Sequence, residues 1–334
     1  MRKKDNLTID DIARELGVSK TTVSRAISGK GRISDGTRQK VLDYIQQNHY
    51  RPNAAAKALA DNKTYNLAFV TPRSFISLDL PFVRQSMAAV AEEAFTQNYT
   101  ILLCLSTDDT PASLTRILER RKVDGVILSR TVENDNLLDI LVEQNMPFAT
   151  LGTLPSQARN TATVEADHNQ TGGCRAFSAG FLRAGAGQMA LLGNDISYIV
   201  NQSRLAGFRE ALQDTGFDPA NVFIRMGIES DTTCSQVVDA LLLQGVRRFL
   251  AMDDEVCVRI LEHLHQRRLQ PPRDVQLASL CDSDKLAAHG ISALHFDAAE
   301  LGRVACRELL LYLNGSDYDP APRLGYRIEM RESM

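Results

Sequence analysis

The residues Leu7-Thr8-Ile9-Asp10-Asp11-Ile12-Ala13-Arg14-Glu15-Leu16-Gly17-Val18-Ser19-Lys20-Thr21-Thr22-Val23-Ser24-Arg25 carry the spacing of two short helices joined by a tight turn. Thr8 suits the N-cap of the first, because its hydroxyl accepts from an otherwise orphaned N–H. Asp10 and Asp11 fall in the first turn, where the helix dipole favours negative charge. Ile9, Ile12, Ala13 and Leu16 form one apolar stripe, and Gly17 ends the helix as a residue tolerant of positive φ. Ser19 caps the second helix, which turns Val23 and Ile27 inward at i, i+4 spacing. Its outer face carries Lys20, Thr21, Ser24, Arg25 and Ser28, all hydrogen-bonding and none large and apolar. A helix lying in a DNA major groove needs such a face. A solvated face on an ordinary helical hairpin would read the same way.

Outward from this pair, Ser34 caps a third helix with Val41, Leu42 and Ile45 expected inside. Pro52 breaks the pattern. Asn53-Ala54-Ala55-Ala56-Lys57-Ala58-Leu59-Ala60 follows, with high helix propensity over only about two turns. So short a helix is marginal alone, because nucleation costs more than so few bonds return. From Tyr65 short apolar runs alternate with amphipathic stretches. Strands are expected at 66–70, 99–105, 125–128, 189–192, 248–251 and 275–278, with helices at 82–97 and 111–121. Repeated βα units imply parallel sheets covered by helices on both faces. About 270 residues exceed one compact core, which implies two α/β lobes. Ligands of such sheets bind beyond the carboxyl ends of the strands, here in the cleft between lobes.

Charge divides the chain in the same place. Residues 1–63 hold 13 Lys and Arg against 7 Asp and Glu, a balance of +6; the remainder holds 25 against 34, a balance of −9. A basic end on an acidic body points to a polyanion at the N-terminus. Composition is that of an ordinary globular protein, 44% hydrophobic and 24% charged, with no apolar run of bilayer length. Met1-Arg2-Lys3-Lys4-Asp5-Asn6 is basic with no apolar stretch after it, so the expected location is the cytosol and no membrane partner is expected. Cys104, Cys174, Cys234, Cys257, Cys281 and Cys306 are scattered, without C-x-x-C, and read as mostly buried apolar residues. Neither metal nor cofactor is expected. No G-x-G-x-x-G follows a strand, and G-x-x-x-x-G-K-[ST] and G-x-S-x-G are absent, so the chain is not read as an enzyme. His263 and His265, two apart on a helix, point to opposing sides and are expected at the surface.

The chain resembles the LacI/GalR family of bacterial repressors over essentially its full length. The landmarks are Thr8 to Ala13, Gly17-Val18-Ser19, Thr22-Val23-Ser24-Arg25, Ile33-Ser34, Thr37-Arg38, Tyr50-Arg51-Pro52-Asn53, and Ala56 with Leu59. In the body they are Thr107 to Thr110, Arg121 to Leu128, Asp167 with Gly172, Ser203 to Phe208, and Glu300 to Arg303 with Ala305. The resemblance implies an α/β protein with an N-terminal all-α helix-turn-helix headpiece (1–52), a hinge helix and linker (53–62), and a two-lobed periplasmic-binding-protein-like sensor with doubly wound parallel sheets (63–334). It implies a homodimer on an inverted-repeat operator in double-stranded DNA, controlled by a small carbohydrate effector. The chain's end, Tyr326 to Met334, has no leucine heptads, so a dimer is expected rather than a tetramer.

By the same resemblance Lys20, Thr21 and Arg25 read base edges. Thr8, Ser19, Thr22, Ser24, Ser34 and Thr37 meet phosphates, and Ser28, Arg32, Asn53 and Ala56 complete the DNA surface. Leu59 wedges into the minor groove. The effector candidates are Phe75, Phe82, Asp167, Arg204, Asp253, Cys281, Asp282 and Phe296: acceptors for hydroxyls, a guanidinium donor and aromatic faces for a ring. Bland alternatives stand beside them. Arg204 also suits an ion pair with a surface carboxylate, Asp167 or Asp253 a helix cap, and Phe82 the core. Two departures make the cleft unusual: many members have Asp where this chain has Cys281, and Asn where it has Asp253. The segment from Val123 to Phe148 has a faint likeness to maltose-type regulators.

Overall fold

The computed structural model describes residues 7–29, 31–48, 50, 54–77, 80–106, 112–158 and 161–334, with the backbone alone at 28, 54–57, 76–77 and 112. The chain divides into two compact units, residues 1–64 and 65–334. In the first, α1 (Ile9–Leu16), α2 (Lys20–Ser28) and α3 (Asp35–Gln47) surround a small core of Ile12, Ala13, Val23, Ala26 and Val41. Three hydroxyl caps set the helix starts: Thr8, Ser19 and Ser34 each accept from the N–H three residues on. Gly17 and Gly29 close α1 and α2 in the left-handed conformation. Leu42, expected inside, is 38% exposed; Tyr44 and Ile45 pack against the core instead. α4 (Ala54–Asp61) is a separate eight-residue helix.

The second unit begins with β1 (Asn66–Pro72), α5 (Arg73–Ser77), α6 (Pro81–Thr96), β2 (Thr100–Ser106), α7 (Ala112–Glu119), β3 (Gly125–Leu128), α8 (Asn136–Glu143), β4 (Phe148–Leu151) and β5 (Val164–Ala166). These strands form an all-parallel sheet in the order β2-β1-β3-β4-β5. The chain then enters the second lobe with α9 (Gln170–Arg183), β6 (Met189–Leu192), α10 (Ile199–Thr215), β7 (Val222–Arg225), α11 (Asp231–Leu243), β8 (Arg248–Ala251), α12 (Asp254–Gln266), β9 (Gln276–Ser279), α13 (Asp284–Ala288) and β10 (Ser292–His295). Next, α14 (Ala298–Leu313) returns to the first lobe and packs on α6, and β11 (Arg327–Glu329) ends in the second, antiparallel to β10. The second sheet runs β11-β10-β9-β8-β6-β7. Each sheet has apolar clusters on both faces, which is why its strands read as short unbroken apolar runs. Among the described residues no helix is long and apolar enough to cross a membrane.

Three segments cross between lobes and are tied together. The Glu165 and Asp167 N–H groups donate to the Pro320 and Pro322 carbonyls at 2.8 and 3.1 Å, and the Leu324 N–H donates to the Asp167 carbonyl at 2.8 Å. His168, buried between them, lies with Nε2 2.9 Å from the Asp297 carbonyl, and burial lowers its pKa below the ordinary imidazole value.

Close helix contacts depend on glycine. A Cβ on Gly302 of α14 would lie 2.5 Å from the Ser86 carbonyl oxygen of α6. Gly302→Ala should therefore destabilise the second unit by about 1–3 kcal/mol, as overpacking does. Gly180, exposed in the interior of α9, has nothing within 4 Å of its added Cβ, and Gly180→Ala should stabilise by about 0.5–1 kcal/mol. Urea unfolding of the two variants checks both; equal shifts would contradict the packing account.

Candidate nucleic-acid interface and effector cleft

The headpiece carries its polar groups at helix starts. The Ser19 and Thr22 hydroxyls lie 2.9 Å apart at the start of α2, and those of Ser34 and Thr37 lie 2.8 Å apart at the start of α3. With Thr8 at α1, these are the places where free N–H groups and the helix dipole favour a phosphate. Thr21, Ser24, Arg25 and Arg32 are exposed. Lys20, exposed, pairs with the half-buried Asp10 at 2.5 Å. Arg25 runs alongside Gly31, where a Cβ would come within 3.1 Å of its stem. Leu59 on α4 is an apolar side chain that is 85% exposed. Asn53 lies outside the described residues, as do Arg51, Pro52 and Thr107 to Thr110; the side chains of Ser28 and Ala56 do too.

In the sensor, strand ends and helix starts gather a buried polar group. Arg204, in the second turn of α10, is only 8% exposed. Its Nη1 donates to the Asn201 side chain at 3.3 Å, and its Nε has no hydrogen-bond partner. Burial acts against its charge, but Cys281, Cys174, Asp253 and Asp254 together hold its pKa above the ordinary guanidinium value. Burial pushes the Cys174 and Cys281 thiols up to about 12, so both are neutral at pH 7. Burial raises Asp253 and Asp254 as well. Asp253 also caps α12, accepting from the Val256 N–H at 2.8 Å.

The other candidates are more committed. Asp167 accepts from the Asn169 N–H at 2.9 Å and lies 3.3 Å from Arg323; its second oxygen is buried without a hydrogen bond. Asp282 is gripped by both Arg331 nitrogens at 2.8 and 2.7 Å, which leaves it little capacity for a ligand. Phe296 stacks near His168 and Tyr326 at 5.4 and 6.4 Å. Phe75 lies 5.5 Å from Tyr198, and Phe82 is half-buried against the first-lobe core. The structure thus brings Arg204, Cys281 and Asp253 together with Cys174 and Asp254.

Sequence reasoning missed Asn201 and Tyr198. Asn201 sits one helical turn before Arg204, and that i, i+3 spacing was the available signal. One expectation is corrected: His263 is buried, its Nε2 2.8 Å from Asp239, which Arg267 also contacts, while His265 is exposed. The face of α12 toward α11 needed an acid partner that the histidine spacing alone does not reveal. Of the six free cysteines five are buried, and Cys281 is half-buried.

Residues 8–53 match the model of the bacterial regulatory proteins of the lacI family, and residues 179–334 that of the periplasmic binding protein-like domain. Catabolite control protein A of Priestia megaterium is 26% identical over 98% of this chain and 99% of its own. The HTH-type transcriptional regulator DegA of Bacillus subtilis (strain 168) is 32% identical over 63% of this chain and 61% of its own. Among solved structures, the lac repressor dimer bound to operator and the anti-inducer ONPF has a TM-score of 0.77 at 20% identity, covering 98% of this chain and 99% of that one. The transcriptional regulator CelR–cellobiose complex has a TM-score of 0.69 at 23% identity, covering 98% and 100%. Headpiece and sensor together define a DNA-binding transcription regulator with a ligand-sensing domain, a class whose members are not enzymes. The chain belongs to the LacI/GalR family of bacterial transcriptional regulators.

The cap of α1 titrates. Hydrogen bonds from the Thr8 hydroxyl and N–H lower the Asp11 pKa below the ordinary carboxylate value. Its contribution to headpiece stability is therefore present above the unfolded pKa of about 4 and is lost as pH falls through the folded value. Thr8→Val should raise the Asp11 pKa and shrink this acid-side dependence. An NMR titration of the Asp11 carboxyl checks it, and an unchanged pKa would remove Thr8 from that role.

Proposed function

We propose that this regulator is a homodimeric repressor that binds an inverted-repeat operator and is controlled by a small carbohydrate, a sugar or sugar phosphate, held between the sensor lobes. Residues 1–52 serve as headpiece, 53–62 as hinge and 63–334 as sensor. The observation that carries the reading is Leu59, 85% exposed on an eight-residue helix. A helix that short needs a partner, and an unburied leucine supplies the wedge that kinks DNA from the minor groove. The operator and cellobiose in the complexes of the two structural neighbours support this reading by analogy of fold.

A ligand changes operator affinity only by binding one arrangement of the lobes better than another. In a dimer, lobe rearrangement changes the spacing of the paired hinge helices. Paired hinges stay ordered and hold Leu59 on DNA; separated hinges melt and release the headpieces. Arg204, Asp253 and Cys281 form the effector anchor, with Asp167, Phe75 and Phe296 around it.

Arg25→Ala should cost about 1–3 kcal/mol per half-site and relax preference at one base pair. Equal loss on operator and random DNA would reassign Arg25 to phosphate. Leu59→Ala should reduce operator bending and affinity while leaving effector binding intact; normal bending would exclude the wedge. Arg204→Ala should bind operator yet lose the effector response, a coupling of about 1–3 kcal/mol or roughly 5–150-fold in affinity. Operator titrations with and without candidate sugars measure it, and a full response in the variant would exclude Arg204 as the anchor.

A further inference from the structure

The two sensor lobes are joined across the cleft by their own main chains, apart from the three crossovers. Val132, in the segment after β3 of the first lobe, pairs as an antiparallel bridge with Tyr198, just before α10 of the second. The Ile199 N–H donates to the Thr131 carbonyl and the Glu133 N–H to the Ser197 carbonyl, both at 3.1 Å. The Gln202 amide donates to the Glu133 carboxylate at 3.0 Å. The Tyr198 ring lies against Phe75 and beneath the Arg130 guanidinium, 5.8 Å from its centroid.

Each side of this strap is anchored in its own lobe. The Thr131 hydroxyl donates to the Thr153 carbonyl at 2.7 Å. On the other side the Ser197 N–H and hydroxyl both donate to Asp195 at 2.8 Å, and the Asn201 side-chain amide donates to the Asp195 carbonyl at 2.7 Å. The remaining end of Asn201 accepts from Arg204. The orientation of this amide follows from chemistry: reversed, its NH₂ would face a guanidinium that can only donate.

We propose that Asn201 is a positioning residue that couples Arg204 to this interlobe strap. The inference rests on the reading of Arg204 as an effector anchor. A ligand oxygen accepting from the Arg204 guanidinium restrains it in the orientation that donates to Asn201. Asn201 then holds the Asp195 carbonyl, and the loop that presents Ser197 and Tyr198 to the first lobe stays in place. Effector occupancy thereby tightens the strap and favours the arrangement of the lobes that it joins, without a contact between effector and strap.

Hydrogen exchange of the ligand-free full-length chain tests this without DNA or effector, so its failure is distinguishable from failure of the repressor reading. The Glu133 and Ile199 amides, which donate across the cleft, should be protected. Asn201→Ala should speed both by roughly fivefold to tenfold, the change expected from losing about one net hydrogen bond of opening free energy. The sheet amides of Val126 and Met252 should stay slow. Glu133 is decisive because it lies in the other lobe: damage confined to the second lobe would speed Ile199 alone. Arg204→Lys, which keeps the charge but loses the planar fork, should also speed Glu133 and serves if Asn201→Ala perturbs the sheets. Unprotected Glu133 in the wild type would overturn the strap. Glu133 staying protected in a variant whose sheet amides remain slow would overturn the coupling.

Discussion

The ladder of main-chain bonds at the lobe crossover is the constraint on which the sensor depends. Glu165 and Asp167 exchange hydrogen bonds with Pro320, Pro322 and Leu324, more than 150 residues further along the chain, and Arg323 adds an ion pair to Glu165 across a separation of 158 residues. That ladder ties the crossover segments of the two sheets to one another. With it, both sheets turn the carboxyl ends of their strands toward one cleft, where ligands of parallel sheets bind. His168 adds rigidity, since its ring bonds the Asp297 carbonyl on the second crossover and stays neutral because burial lowers its pKa.

Headpiece and sensor are stabilised differently. The headpiece core is only a handful of side chains, so its helix starts rely on hydroxyl caps. Such caps are worth about 1 kcal/mol each in comparable helices. The same hydroxyls stand at N-termini, where free N–H groups and the helix dipole favour a phosphate. The sensor instead covers both faces of two parallel sheets, and its cost appears in the cleft. There Arg204 and two carboxyls lie in surroundings that raise the carboxyl pKa values, and the neutral thiol of Cys281 adds no charge. Buried charges of this kind need partners, which fits a site whose guanidinium still has an unbonded Nε.

Local features were legible from sequence, and nonlocal ones were not. Thr8, Ser19, Ser34, Gly17 and the strands 125–128, 189–192 and 248–251 were readable because caps and apolar runs act over a few residues. Strands β5 and β11, three residues each, were not, since so short a run has no period. Leu42 and His263 went the other way from expectation because burial on a helix depends on which neighbouring helix covers that face.

The amino-acid sequence by itself determined the helix-turn-helix, the basic headpiece on an acidic body and the βα alternation, because each is written in short-range spacing or composition. Only the tertiary structure decided that α14 packs in the first lobe and β11 in the second, that Arg331 occupies Asp282, and that Val132 meets Tyr198. Those pairings join residues far apart in the chain. They are selected by the cooperative burial of two sheets and the satisfaction of buried polar groups, which no local pattern encodes.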